Sequence, residues 1–466
     1  MRHTGIERVQ DSVHGLMEFE GMETSIVEVL RAEELQRLRR IRQTGLVHLV
    51  YPGAEHSRLV HSIGAAHVAI RFARRLQEAT SAFLAPFLRP KQEAVRDLAL
   101  AALCHDLGHG PLSHTWESEV VGADFDRAKW AKALGLGGEP MPPRQQWHEL
   151  VGQGLLAWPD GQLNRLLERA EEGASTRIRK LLLNEYYLPY LPRLLSGDVD
   201  CDRCDFILRD AHQSGVSHGR YDLKWLISTT TVGTRENQLV VGFDKRKAPS
   251  ILEQFLTSRR ALYETVYYHK TVRSAQGMVG LLLRRLKQVT KDNGWILKDQ
   301  TFFAPYQKAI EGSPLEPHEV LQLDDYGLWG LIQHLSTKTP IDPTLADLAR
   351  RIIARDLFKV VPCEDQENVR KFIEDAENQV RMQEVVSKFC PGDPKYYIHV
   401  DHAPFQMLST DLGEQSYFVD LGQKNRPAEP IHDHPLFRSY SVKSEETVRL
   451  YVPRETVDKI KTMIEH

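Results

Sequence analysis

An apolar run from Leu98 to Cys104 ends in His105, Asp106, His109 and His114, all within the segment LALAALCHDLGHGPLSH. A helix with that much aliphatic surface is driven into a core. Imidazoles and carboxylates carried in with it are costly unless they are paired or ligated. The fold must therefore bring partners to them from elsewhere in the chain. His61 and Asp202 are the candidates. Together with His105 and Asp106 they make two imidazoles and two carboxylates, a set that holds a divalent transition metal. Mn, Fe, Zn and Ni all suit such ligands, and spacing does not choose among them.

Neighbouring residues on a helix point about 100° apart. His105 and Asp106 can still reach one ion if it sits off the helix end, with His61 supplied by the preceding helix and Asp202 by a later one. Such a site keeps open positions for a water and a phosphate oxygen only if the ion is five- or six-coordinate. The ion would then acidify the water and polarise phosphorus. Nearby groups suit proton transfer. His105 and His109 are spaced i,i+4 and are expected to share a face. His114 and Glu117 are spaced i,i+3, so the carboxylate is placed to orient that imidazole as a general acid. His148, in QQWHEL, is a further candidate.

The 466 residues, 41% hydrophobic, suffice for a large core and more than one lobe. A net charge of -3 and a pI near 6.7 argue against a globally basic nucleic-acid binder. No apolar run approaches the roughly 18 residues of a membrane span, and MRHTGIERVQDS has no apolar signal region. Five cysteines do not make a disulfide framework. A cytoplasmic enzyme is the expectation. Cys201 and Cys204 form a C-x-x-C, but the acidic surroundings in DVDCDRCDF raise thiol pKa and disfavour a reactive thiolate.

Apolar periodicity predicts helices over residues 26–43, 58–77 and 93–107, separated by Gly45, Pro52-Gly53 and later turns. Residues 125–150 read as loop-rich. Helical character returns over 161–195 and 202–213. Residues 236–244 read as one side of a hairpin, followed by a long basic helix over 249–291 and Pro-containing turns over 311–345. YYIHV (396–400), SYFVDLG (416–422) and TVRLYVP (447–453) alternate as strands, and a helix closes the chain over 457–464. The expected fold class is mostly α: a helical lobe over 1–290, then a smaller C-terminal α+β lobe over 291–466.

The motifs VQDSVHG, LQRLRRIRQTGLVHLVYPGAEHSRLVHSIG, CHDLGHGPLSH, DVDCDRCDFILRD and YYHK occur in that order. They resemble the HD-domain phosphohydrolases with the pattern H…HD…D. More narrowly they resemble the deoxynucleoside triphosphate triphosphohydrolases, with bacterial and vertebrate branches. The resemblance covers about residues 8–275. It implies an HD-domain helical lobe with His61, His105, Asp106 and Asp202 as metal ligands, Asp200 being the near miss. It implies phosphate contacts from Arg58, Arg203, Arg259 and Lys270, and His109, His114 and His148 around the triphosphate, with His114 and Glu117 as the acid dyad. Gln43 would lie near the sugar, Asp210 on its 3′ side, and Phe206 and Tyr267 against the sugar or base.

The implied reaction is attack at the α-phosphorus of a (deoxy)nucleoside triphosphate, releasing nucleoside and inorganic triphosphate. Mg is a candidate companion of the substrate phosphates. The implied partners are the nucleotide substrate, a nucleotide effector and a second copy of the chain, as dimer or tetramer, with no membrane. Two other readings compete: an HD phosphohydrolase acting on another nucleotide or a nucleic-acid end, and a nucleic-acid-binding regulatory protein. Three departures from the pattern bear on specificity. Thr44 stands where the family has Leu, and Phe206 where it has Tyr; a pocket excludes a 2′-OH by sterics or by unpaired polar groups. Arg31 and Glu7 reverse the charges of the vertebrate activator contacts, while Arg39 retains one.

Overall fold

A computed structural model describes residues 5–138, 145–294, 301–337, 342–363, 365–403, 407–408, 415–440 and 447–465. Helices dominate, and the core of the first part is a packed set of three. α1 (Arg58–Thr80) lies against α2 (Gln92–Cys104) and α4 (Cys201–Ser214), with α3 (Trp147–Ala157) closing the end that carries the histidines. α2 is buried along its whole length from Ala94 to Cys104, as its aliphatic composition requires. It stops there. His105 is its C-cap, so the HD pair sits just beyond the helix end rather than on a helical face. The expected i,i+4 alignment of His105 with His109 is replaced by a turn in which the His109 amide donates to the Asp106 carbonyl at 3.2 Å.

Two other helices expected as continuous are broken. Residues 26–43 hold only Ser25–Val29, Glu33–Arg37 and a 3-10 turn, Leu38–Arg40, because Ala32 is extended. The long basic helix divides into α5 (Pro249–Leu262) and α6 (Lys270–Asn293), with a π turn at Tyr263–Tyr267 between them. His269 then caps α6 by accepting the Thr271 amide at 3.2 Å. The run 161–195 divides likewise at Gly173, into Gln162–Ala170 and Ala174–Leu182. Within 125–150, Arg127–Ala133 is helical, and 139–144 lie outside the described residues.

The strands make three small sheets. β1 (Ile6–Asp11) and β2 (Gly15–Glu20) form an antiparallel hairpin. β3 (Thr230–Arg235) and β4 (Gln238–Asp244) form a second hairpin, extended by β7 (Tyr417–Val419), parallel to β4, and β8 (Ala428–Pro430). β9 (Thr447–Val452) is central between β5 (Lys359–Val360) and β6 (His399–Ala403). The strand expected at 396–400 starts at His399 because Pro394–Tyr397 is a 3-10 turn. The closing helix is α9 (Val457–Glu465).

Residues beyond 290 reach back onto the first part. α7 (Asp325–Thr337) and α8 (Pro343–Ile353) pair with each other, and α8 also packs on α6. The carboxylate at the start of α7 accepts the amides of Arg42 at 2.9 Å and Leu112 at 2.8 Å, clasping two loops of the cavity described next. No described helix is long and apolar enough to cross a membrane.

Candidate metal centre and its cavity

His61 sits in the first turn of α1. The start of that helix is tied to the 41–44 loop by the Arg58 amide on the Ile41 carbonyl, 2.9 Å, and the Gln43 amide on the His56 carbonyl, 3.0 Å. Gly108 brings α3 close: a Cβ there would lie 1.8 Å from the His148 carbonyl oxygen, so only glycine allows this approach. Asp200 is the N-cap of α4, accepting the Arg203 amide at 2.7 Å. That leaves Asp202, in the first helical turn, to face the histidines.

Of the four residues expected as ligands, His61, His105 and Asp106 bring donor atoms within 4.8 Å of one another, and Asp202 reaches the two histidines. His61 Nε2 lies 3.0 Å from Asp202 Oδ1 and 3.9 Å from Asp106 Oδ2. His105 Nε2 lies 3.3 Å from Asp106 Oδ1 and 3.5 Å from Asp202 Oδ1. Two atoms bound to one ion at about 2.1 Å stand roughly 3.0 Å apart at a right angle and about 3.4 Å apart at the tetrahedral angle, so three of the four spacings are those of a shared cation. The histidine tautomers agree. His105 Nδ1 must donate to the Ala102 carbonyl at 2.7 Å, and His61 Nδ1 faces Asp205 at 2.8 Å, which leaves both Nε2 lone pairs directed inward. His61 Nε2 is buried yet makes no well-angled hydrogen bond among the described residues. An orphaned buried nitrogen beside two carboxylates fits a divalent metal.

Electrostatics fit as well. Burial disfavours the His61 imidazolium, but Asp202 and Asp205 outweigh it and push the ring up to about 10. Without a cation the cluster holds a proton that a metal would displace. Burial also opposes the charge on Asp202, and His105 and His61 outweigh it, holding the carboxyl well below its usual range. Asp106 is buried too, and Arg58, His105 and His109 keep it ionised.

A cavity of about 770 Å³ opens onto this cluster, lined among others by Gln43, Thr44, Arg58, His109, His114, His148, Arg203, Phe206, Asp210 and Tyr267. Arg58 is buried, donating through Nε to Ser113 Oγ at 3.0 Å and pairing with Asp106. Arg203 is held by Asp200 and the Gly197 carbonyl. Asp210 accepts from Tyr267 Oη at 2.5 Å and contacts His56 Nε2 at 2.8 Å, and Phe206 meets Tyr267 edge to face. The buried Gln43 Oε1 has no hydrogen-bond partner among the described residues. The Arg259 guanidinium stands 5.7 Å from the ring centroid of Tyr263, which lines the cavity. Arg259 is buried with Nη1 on the Met407 carbonyl at 2.7 Å, and Lys270 is exposed at the start of α6; neither lines the cavity. Cys201 and Cys204 are buried free thiols whose pKa burial raises, inert as expected.

Glu117 contacts a different histidine from the one its spacing indicates. Its Oε2 is 2.8 Å from His148 Nδ1 but 4.0 Å from His114 Nδ1, and its Oε1 accepts the Trp147 amide at 2.7 Å. His114 is exposed, its side chain 74% accessible. His109 and His148 stack with centroids 4.0 Å apart and planes 13° apart. Parallel stacked imidazoles cannot both aim in-plane lone pairs at one ion, so His109, Glu117 and His148 suit proton handling rather than a second metal. Leu112 and Ser113, just before His114, have positive φ values of 51° and 53°, backbone strain of the kind that clusters at functional sites.

Several residues that build this site were given no role from the sequence, although all but Asp325 lie within the quoted motifs. Arg37, Asp325 and the buried group Asp11, His14, Asp205 and Arg209 reach it through hydrogen bonds between segments distant in the chain. Burial opposes the charge on Asp11 and Asp205, and Arg209 outweighs it, depressing both. Depressed carboxylates contribute stability that is present above the ordinary value, about pH 4, and lost as pH falls through the folded-state values. Melting temperature should therefore drop below about pH 4, and Asp11→Asn should flatten that drop; an unchanged pH profile in the variant would remove Asp11 from the network.

The HD-domain family model matches residues 58–133, which contain three of the four converging residues. An uncharacterized protein from Bacillus subtilis, YwfO, is 27% identical over 93% of this chain and 89% of its own length. Human deoxynucleoside triphosphate triphosphohydrolase SAMHD1 is 26% identical over 56% of this chain, and the chain spans only 42% of that protein. A crystal structure of a phosphohydrolase from Bacteroides thetaiotaomicron superposes with a TM-score of 0.73 at 22% identity, covering 97% of this chain and 100% of that one; it shares the fold. The chain carries an HD domain over residues 58–133, and the H…HD…D cluster and these likenesses make it similar to the HD-domain, dNTPase-like proteins.

Proposed function

We propose that the protein is a metal-dependent hydrolase of nucleoside triphosphates, cleaving at the α-phosphorus to give a nucleoside and inorganic triphosphate. The observation that carries this reading is the convergence of His61, His105, Asp106 and Asp202 at ligand spacing on the wall of a cavity that also presents Arg58 and Arg203. A divalent cation held by the four ligands supplies Lewis acidity, drawing electrons from phosphorus and acidifying water. The chain's own groups do the rest. Arg58 and Arg203 bind and orient phosphate oxygens, the planar guanidinium fork matching phosphate geometry. Asp210, Tyr267 and Gln43 offer hydrogen-bonding groups to a sugar. His148, with Nδ1 on the Glu117 carboxylate, presents Nε2 for proton delivery to the leaving oxygen, with His114 beside it.

Product analysis against a panel of deoxy- and ribonucleotides tests the proposal. Inorganic triphosphate plus nucleoside is the expected product pair; orthophosphate, pyrophosphate or a monophosphate would overturn it. General acid-base groups contribute about 10²–10⁴-fold, so Glu117→Gln is expected to lower kcat about 100-fold with little change in KM. A rise in KM alone would assign Glu117 to binding. His114→Ala is expected to reduce turnover more than substrate binding as well.

Sugar selection rests on Thr44 and Phe206. Both line the cavity, and the Thr44 hydroxyl makes only a long contact, 3.4 Å, to the Ala54 carbonyl. A hydroxyl available there tolerates a ribose 2′-OH. Thr44→Leu is expected to raise the deoxy-over-ribo ratio of kcat/KM; an unchanged ratio would remove Thr44 from the sugar pocket.

A further inference from the structure

We propose that Asp205 is the positioning residue of the cation site and that the N-terminal hairpin completes it. The proposal rests on the metal-site reading above and extends it to residues outside the ligand set. His61 has two ring nitrogens, and only Nε2 faces the other ligands. Its direction and tautomer are set by what Nδ1 meets. That partner is Asp205 Oδ2 at 2.8 Å. A carboxylate accepts and does not donate, so Nδ1 keeps its proton and Nε2 is the nitrogen left to a cation.

Asp205 is itself held from every side. His14 Nε2 reaches Oδ1 at 2.6 Å. Arg209 grips both oxygens, at 2.8 and 2.9 Å, from one helical turn along α4. The same guanidinium extends to Asp11, at 2.8 and 3.2 Å. Asp11 in turn accepts the amides of Val13 and His14, both at 2.8 Å, and so shapes the turn between β1 and β2. One unbroken chain of hydrogen bonds thus runs from the hairpin turn through Asp11, Arg209 and Asp205 to His61. Its side chains are almost wholly buried, so water does not substitute for a missing link.

The neighbouring helix leaves room for it. Gly64 lies three residues after His61 on α1. A Cβ there would stand 2.0 Å from Asp205 Oδ1 and 2.3 Å from an Arg209 nitrogen. A side chain at 64 would force the carboxylate off His61. A glycine at this point of a long helix costs about 1 kcal/mol of helix propensity, and the packing of Asp205 accounts for its use.

The test is Co(II) titration of the full chain, followed by visible absorption and by chelator competition. Replacing Asp205 with Asn lets an amide N–H face Nδ1 and moves the ring proton to Nε2. Loss of such an outer partner lowers metal affinity about 10–100-fold, and that loss is expected for Asp205→Asn. Gly64→Ala is expected to weaken binding in the same direction. Folded variants that bind Co(II) as tightly as wild type would overturn the proposal. Long-range ¹H–¹⁵N correlation of histidine-labelled, zinc-loaded wild type gives a second readout that needs no variant. The expected result is a protonated Nδ1 and a metal-bound Nε2 at His61; zinc on Nδ1 would refute it. Failure of wild type to bind Co(II) at all sinks the metal-site reading, whereas wild-type binding with unchanged variants sinks only the role of Asp205.

Discussion

Asp202→Ala is expected to lose the divalent metal and, with it, at least 1000-fold of hydrolysis, the order contributed by a Lewis-acid centre. The substitution removes the one oxygen that approaches both imidazoles, 3.0 Å from His61 Nε2 and 3.5 Å from His105 Nε2. Two histidines and Asp106 remain, and Asp106 is already engaged by Arg58. The variant should still fold, because the Asp202 side chain is 30% exposed and caps nothing. Asp200 supplies the contrast. It is buried and closes the N-terminus of α4, so Asp200→Ala is expected to cost about 1 kcal/mol of stability as a lost cap while metal binding persists. Elemental analysis of both purified variants decides the matter. Full metal content in Asp202→Ala, or its loss in Asp200→Ala alone, would exchange the roles of the two aspartates.

Arg37→Leu is expected to produce the largest loss of stability of any single substitution near the site. The Arg37 side chain is fully buried. Nε donates to the Leu323 carbonyl at 2.8 Å, one terminal nitrogen to Leu107 at 3.0 Å and the other to His109 at 2.6 Å. Burial pushes the guanidinium down to about 10, so it remains charged at neutral pH. Removing it leaves three main-chain carbonyls without a donor. Each orphaned buried acceptor costs about 1–3 kcal/mol, partly offset by no longer burying a charge. The net expectation is about 3–5 kcal/mol, read as a lower melting temperature or denaturation midpoint. Two of the three carbonyls, those of Leu107 and His109, belong to the turn that carries Asp106 and His109, so metal affinity should fall with stability. A melting temperature within a degree of wild type would show that water takes the place of the guanidinium.

Much of the helical part was legible because burial imposes a period. The apolar spacing of 58–77 and 93–107 returned as α1 and α2 within a few residues, and 202–213 as α4. The meeting of imidazole and carboxylate at the end of α2 was legible because His105 and Asp106 have no packing reason to follow an aliphatic helix. The interruptions were not. Periodicity over 249–291 is the same for one helix as for α5 and α6 in near alignment, and only the π turn and the His269 cap separate them. The surroundings of Arg259 illustrate the same gap. Its place ten residues before His269 does not reveal the Met407 carbonyl that its guanidinium meets, contributed by a segment far along the chain.

Residue types and local spacing alone specified which donors enter the core, and burial of bare imidazole and carboxylate required that they meet one another or a cation. Which donor meets which was settled only by the three-dimensional packing. Glu117 contacts His148 rather than His114, and His61 takes its orientation from Asp205, 144 residues away. A hydrogen bond depends on the direction and distance of two groups within a few tenths of an ångström. That information resides in how the helices are docked, not in the order of the residues along them.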